Sequence, residues 1–181
     1  MLAGNPAVGY DFTSLQTVTV GTPQSTITFS SIPATYKHLQ IRALAKSART
    51  DSEIATYKVR FNGDGTSIYS YHRLLGSGAA ASASGGASTP EGYLYSMAGS
   101  LTVSASTFGV AIFDILDYAN TNKYKVLRFL GGSEGNAANT GYLSLGSVSY
   151  QSTNAITSIS FDVDGGSNFT QYSSFALYGI K

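Results

Sequence analysis

Few residues in this chain are able to do acid–base chemistry. The stretch "DILDYANTNKYK" (114–125) holds two carboxylates, Asp114 and Asp117, then turn formers and two lysines. Such a pair works as acid and base only if both groups reach one reacting centre. On a helix, residues three apart share a face, but on a strand an odd separation sends them to opposite faces. The preceding "FGVAIF" is β-branched and aromatic, which favours a strand. The two carboxylates therefore diverge. Asp117 ends the strand, and "NTN" supplies a turn through side-chain-to-backbone bonds. The stretch reads as a hairpin. Asp114 shares a face with Phe108, Val110 and Ile112, and Arg128 on the next strand is its expected partner.

Other constellations are equally thin. Asp162 with Asp164, and Asn62 with Asp64, gather oxygens beside glycine turns, but neither has the spacing of a calcium loop. They read as turn residues. His38 and His72 are the two histidines. A hydrolase would need His72 and a carboxylate converging in a cleft, and no G-x-S-x-G elbow is present. "GDGTS" (63–67) lacks the lysine of a phosphate loop and sits between strands. Cysteine is absent, so thiolate metal sites and disulfides are excluded. The sequence therefore predicts no catalytic residue, no metal site and no cofactor.

Tyrosine is the remaining signal. Tyr69 and Tyr71 share one strand face, and Tyr142 and Tyr150 are spaced to share another. Exposed tyrosine stacks on sugars and anchors protein interfaces, while tyrosine at a core edge does neither. Lys58 with Arg60, and Lys123 with Lys125, form short basic stripes that read as solvated faces or as contacts to an acidic neighbour.

The elements that would hold these residues are strands. Alternation dominates in "LQTVTV" (15–20), "STITFSSI" (25–32), "HLQIRALA" (38–45), "TYKVRFNG" (56–63), "SIYSYHRLL" (67–75), "KYKVLRFL" (123–130), "GYLSLGSVSY" (141–150), "ITSISFDV" (156–163) and "SFALYGI" (174–180). "TFGVAIFDIL" (107–116) is apolar at every other and intervening position, which predicts a strand covered on both sides. About ten short strands with glycine turns and little or no helix predict an all-β, single-domain, two-sheet β-sandwich of jelly-roll type. "GSGAAASASGGASTP" (76–90) and "GGSEGNAANTG" (131–141) read as flexible loops. A weak helical turn is expected near 47–55. Residues 1–14 read as an N-terminal arm ahead of a domain spanning 15–181.

The 181 residues carry a net charge of +1, with 12% charged residues. That excludes a basic footprint for nucleic acid, so none is expected as a partner. No apolar run reaches the length of a membrane span, and the N-terminus lacks the pattern of a signal peptide. A surface rich in Ser, Thr, Asn, Gly and Tyr suits burial against other subunits, because few charges need desolvating.

"ITFSSIPATYKHLQIRALA" (27–45), "VRFNGD" (59–64), "YSYHRLLG" (69–76), "DILDYANTNKYKVLR" (114–128), "AITSISF" (155–161) and "FALYGIK" (175–181) resemble a family of small virion structural proteins of tailed bacteriophages, including cyanophages. The resemblance spans nearly the whole chain from residue 27 and carries no catalytic motif. It implies a capsid decoration (cement) or tail protein in the phage particle, assembled in the bacterial cytoplasm. Its implied partners are the major capsid protein, other copies of the chain, or tail proteins, with a trimer on local three-fold axes. The expected contact residues are Leu2, Tyr10 and Phe12 on the arm, and Tyr69, Tyr71 and Tyr142 on strands. The alternative expectation is a tail module that recognises host-surface carbohydrate through those tyrosines.

Overall fold

The strand His38–Ala45 shows how the alternation is used. Leu39, Ile41, Ala43 and Ala45 are buried, while Gln40 and Arg42 point the other way. The computed structural model describes residues 11–98, 105–135 and 141–181. Twelve strands are described: β1 Phe12–Thr19, β2 Thr26–Phe29, β3 His38–Ala45, β4 Ile54–Phe61, β5 Tyr69–Gly76, β6 Ala81–Thr89, β7 Gly92–Ala98, β8 Gly109–Leu116, β9 Lys125–Ser133, β10 Tyr142–Tyr150, β11 Ile159–Val163 and β12 Ser174–Ile180. Helix among the described residues is limited to one 3-10 turn, Asp164–Gly166.

The strands form two antiparallel sheets, a large one ordered β1-β12-β3-β8-β9-β10-β5-β6 and a small one ordered β2-β11-β4-β7. The fold is thus the all-β sandwich that the alternation predicts. The small sheet, with β1, β12, β3 and β8, follows the jelly-roll pattern of strands crossing between two sheets. The hairpins β9–β10 and β5–β6 widen the large sheet beyond β8. Between the sheets, the Tyr57 ring meets Phe113 at 5.5 Å and Phe161 and Phe175 at 6.1 Å each. Its hydroxyl is buried without a hydrogen-bond partner among the described residues. A second cluster joins Phe61, Tyr69 and Tyr150.

Several expectations need correction. The stretch 76–90 is not a loop: residues 81–89 form β6, paired along β5. Its small residues serve packing. A Cβ on Gly85 would come within 2.6 Å of the His72 ring, and one on Gly86 within 2.7 Å of the Tyr71 ring. β7 is likewise a strand that the alternation did not mark. Gly131–Ser133 continue β9 rather than starting a loop, and residues 136–140 lie outside the described residues. No helical turn forms at 47–55; Ser47 bridges Phe169 and the chain enters β4 at Ile54. The boundary between arm and domain also moves. Phe12 already pairs with Ile180, so residues 12–14 belong to the sheet, while 1–10 lie outside the described residues.

Candidate functional site

The acid pair takes separate partners, with Asp114 inside β8 and Asp117 in the turn beyond its end. Asp114 accepts a hydrogen bond from Gln40 Nε2 (2.9 Å) and lies 3.4 Å from Arg128, the expected partner. Asp117 ends β8 with a left-handed backbone (φ 49°) and pairs with Lys123. The bond from Lys123 holds its carboxyl below the usual carboxylate range. His38 lies beside it, but its Nδ1 accepts the Asp117 backbone N–H at 3.1 Å. This is a turn anchor. Lys125, expected on a basic stripe, is instead buried. Its ammonium donates to the carbonyls of Asn120, Lys123 and Thr153, tying the turn to the loop after β10. Burial pushes its pKa down.

The oxygen clusters are also structural. Asn62 and Gly63 both have positive φ, 55° and 67°, the geometry of a tight hairpin-type turn. Asn62 Oδ1 accepts the N–H groups of Thr157 and Ser158, and Asp64 accepts from Thr66 and from the Tyr150 hydroxyl. Asp162 pairs with Arg60, and Asp164 with Arg49. Among the described residues no group of three or more metal-binding side chains comes together. His72 packs on Gly85, and the described ion pairs include none to it.

The tyrosines must be reassigned. Tyr69 is fully buried: its ring stacks on Tyr150 at 4.9 Å, and its hydroxyl donates to Asp64 O (3.1 Å) and accepts the Phe61 N–H (3.0 Å). Tyr71 is partly buried against the core, its ring 5.2 Å from Tyr93. Tyr142 is half-buried and donates to Glu53 at 3.2 Å. All three sit at inward positions of their strands, so Tyr69 is no contact residue and the three make no exposed platform. Phe12 does stay on the surface, 46% exposed, with the Arg42 guanidinium 5.9 Å from its ring. Leu2 and Tyr10 lie outside the described residues.

The exposed feature lies elsewhere, on the outer face of the large sheet. The pairing registers align its outward residues in rows running β3, β8, β9, β10, β5, β6. The first row is Leu44, Val110, Gly132, Leu143, Gly76, Ala81. The second is Arg42, Ile112, Leu130, Leu145, Leu74, Ala83. The third is polar: Gln40, Asp114, Arg128, Ser147, His72, Gly85. The first two rows carry seven Leu, Ile or Val side chains, and Val110, Leu74 and Leu143 are each more than half exposed. Six strands about 4.8 Å apart and two outward positions about 6.8 Å apart give a patch of roughly 400 Å². The largest apolar patch on a single chain is commonly of about this size and is often functional. Strand β8 was expected to be covered on both sides; the small sheet covers one, and Val110, Ile112 and Leu116 stand bare on the other. A shallow depression of about 610 Å³ lies where the second and third rows meet, between His72, Leu74, Arg128 and Leu145.

Comparison with protein-family models, curated proteins and solved structures finds no match to this chain.

Proposed function

We propose that this chain is a non-enzymatic structural protein of a tailed-bacteriophage particle, a decoration protein that binds the assembled head and stabilises it. The carrying observation is the bare aliphatic face of the large sheet, a surface suited to burial against neighbouring subunits. The phage-like stretches support the reading because they coincide with elements that build this face: "HLQIRALA" is β3, "YSYHRLLG" is β5, and "DILDYANTNKYKVLR" runs from the end of β8 into β9. A protein that binds only the closed shell stabilises it by mass action. Its partners in this reading are the major capsid protein and other copies of the chain. A carbohydrate-reading tail module would need an exposed aromatic platform, which Tyr69, Tyr71 and Tyr142 do not supply.

Immunogold labelling of particles tests the assignment. Label over the head, together with heads that disrupt at lower temperature when the gene is deleted, is expected. Label confined to the tail, or particles free of the protein, would sink it.

A further inference from the structure

We propose that the outer face of the large sheet is the contact between two copies of this chain. They stack face to face about a two-fold axis parallel to the strands, between β9 and β10. The proposal rests on the reading of this face as an assembly surface and names the partner that covers it.

The rows carry the argument. The face spans six strands, and β9 and β10 are its central pair. The axis lays β9 of one copy over β10 of the other, β8 over β5, and β3 over β6. Each row then meets itself reversed. In the first row Val110 falls over Gly76 and Leu44 over Ala81, large side chains over small ones. In the second, Leu130 meets Leu145 and Ile112 meets Leu74. In the third, Asp114 falls over His72, and Arg128 over Ser147. Apart from Arg42, which falls over Ala83, apolar positions meet apolar ones, and the carboxylate meets a base. An in-plane axis perpendicular to the strands and along the third row would set Asp114 against Asp114 and Arg128 against Arg128, which like-charge repulsion disfavours.

The area is sufficient. Four outward positions on each of six strands cover about 800 Å² per copy, and a stable specific interface needs about that much from each partner. Strands related by an axis along their own direction also pack in the aligned mode of stacked sheets. Few charges need desolvating: Asp114 and Arg128 already pair within one chain, and Arg42 donates to Gln40 of its own strand. A two-fold contact of this kind closes on itself, unlike the three-fold arrangement that the phage resemblance implies.

Sedimentation of the purified full chain tests the proposal. A species of twice the 18.9 kDa chain mass is expected at micromolar concentration. Gly76→Val is the key variant. A Cβ there meets nothing nearer in its own chain than the Leu143 carbonyl at 3.9 Å, so the fold tolerates it. On the proposed partner it meets Val110. Gly76→Val and Leu130→Glu should sediment as monomers with unchanged circular dichroism, while Thr28→Glu, at an exposed position of the small sheet, should remain a dimer. Asp114→Lys should weaken the dimer at least tenfold, and adding His72→Asp should restore it. A wild-type monomer well above micromolar concentration, a trimer, or a dimer indifferent to Gly76→Val and Leu130→Glu would each overturn the proposal. A dimer missing from phage particles would overturn the virion assignment and leave the dimer standing.

Discussion

On the outer face of the small sheet, Lys58 and Arg60 both reach Glu91, at 3.3 and 2.6 Å, and Arg60 also approaches Asp162. On the outer face of the large sheet, outward positions carry Val110, Ile112, Leu130 and Leu145. The inner faces of both sheets are alike, filled with aromatic and aliphatic side chains. The difference is therefore not one of folding, since either outer face would allow the same core. A face whose charges are linked to one another is finished in water. A face of aliphatic side chains loses free energy whenever it is covered, on the order of 25 cal/mol per Å². The sandwich has one side of linked charges and one of bare aliphatic side chains.

Mutations on the two sides should separate along those lines. The largest effect belongs to the layer beneath the aliphatic face. Phe113→Ala removes a buried ring that touches Tyr57, Phe129 and Phe161, and should cost about 3–5 kcal/mol in urea unfolding. On the small sheet, Glu91→Ala leaves Lys58 and Arg60 without their shared carboxylate and should cost about 2 kcal/mol. An equal loss from Leu145→Ala on the other face, measured on a monomeric background, would erase the contrast. Inside the sandwich, Tyr57→Phe removes a hydroxyl that is buried without a partner, and a gain of about 1 kcal/mol is expected from the same denaturation curves. Ile112→Thr, one residue from Phe113 but on the outer face, should change monomer stability by less than about 0.5 kcal/mol while reducing binding of a hydrophobic dye.

The smallest effect is one of pH. Asp64 is held below the ordinary range chiefly by the Thr66 hydroxyl, and Asp117 chiefly by Lys123. A folded-state pKa lower than the unfolded one means that the unfolded chain binds protons more readily. The stabilisation is then present above the unfolded value of about 3.9 and is lost as pH falls below it. Thermal midpoints should be flat from neutral pH down to about 5 and decline below about 4. Asp64→Asn should flatten that decline slightly.

Much of the sandwich is legible in the sequence because period-two alternation survives wherever one face is buried. The hairpin at 114–125 and the Asp114–Arg128 pair follow from alternation and strand pairing, while Asp117 sits in a left-handed turn past the strand end, where parity no longer applies. β6 is not legible: "ASASGGAST" lacks the β-branched and aromatic residues of a strand, and it holds its place because the Tyr71 and His72 rings need glycine opposite them. Lys125 reads as surface because nothing local announces the three carbonyls, from 120, 123 and 153, that converge on its ammonium. The inward placement of the tyrosines is illegible for a related reason. Alternation tells which residues share a face, but not which face looks inward, and Tyr69 is on the inner one. The same ambiguity hid the aliphatic patch. Apolar residues at every position of β8 are equally consistent with cover from within the chain and cover from another molecule.

The hairpins β9–β10 and β5–β6 bear on how such a sandwich varies in width. Because β8, β9, β10, β5 and β6 are each antiparallel to the next, two added strands leave the strands on either side of them in opposite directions. The β9–β10 pair could be excised and β8 and β5 would still be oriented to bond each other; a single strand could not. Width in this fold is therefore quantised in hairpins, and each unit added here lengthens the rows of the outer face while the jelly-roll frame of β1, β12, β3 and β8 stays as it is.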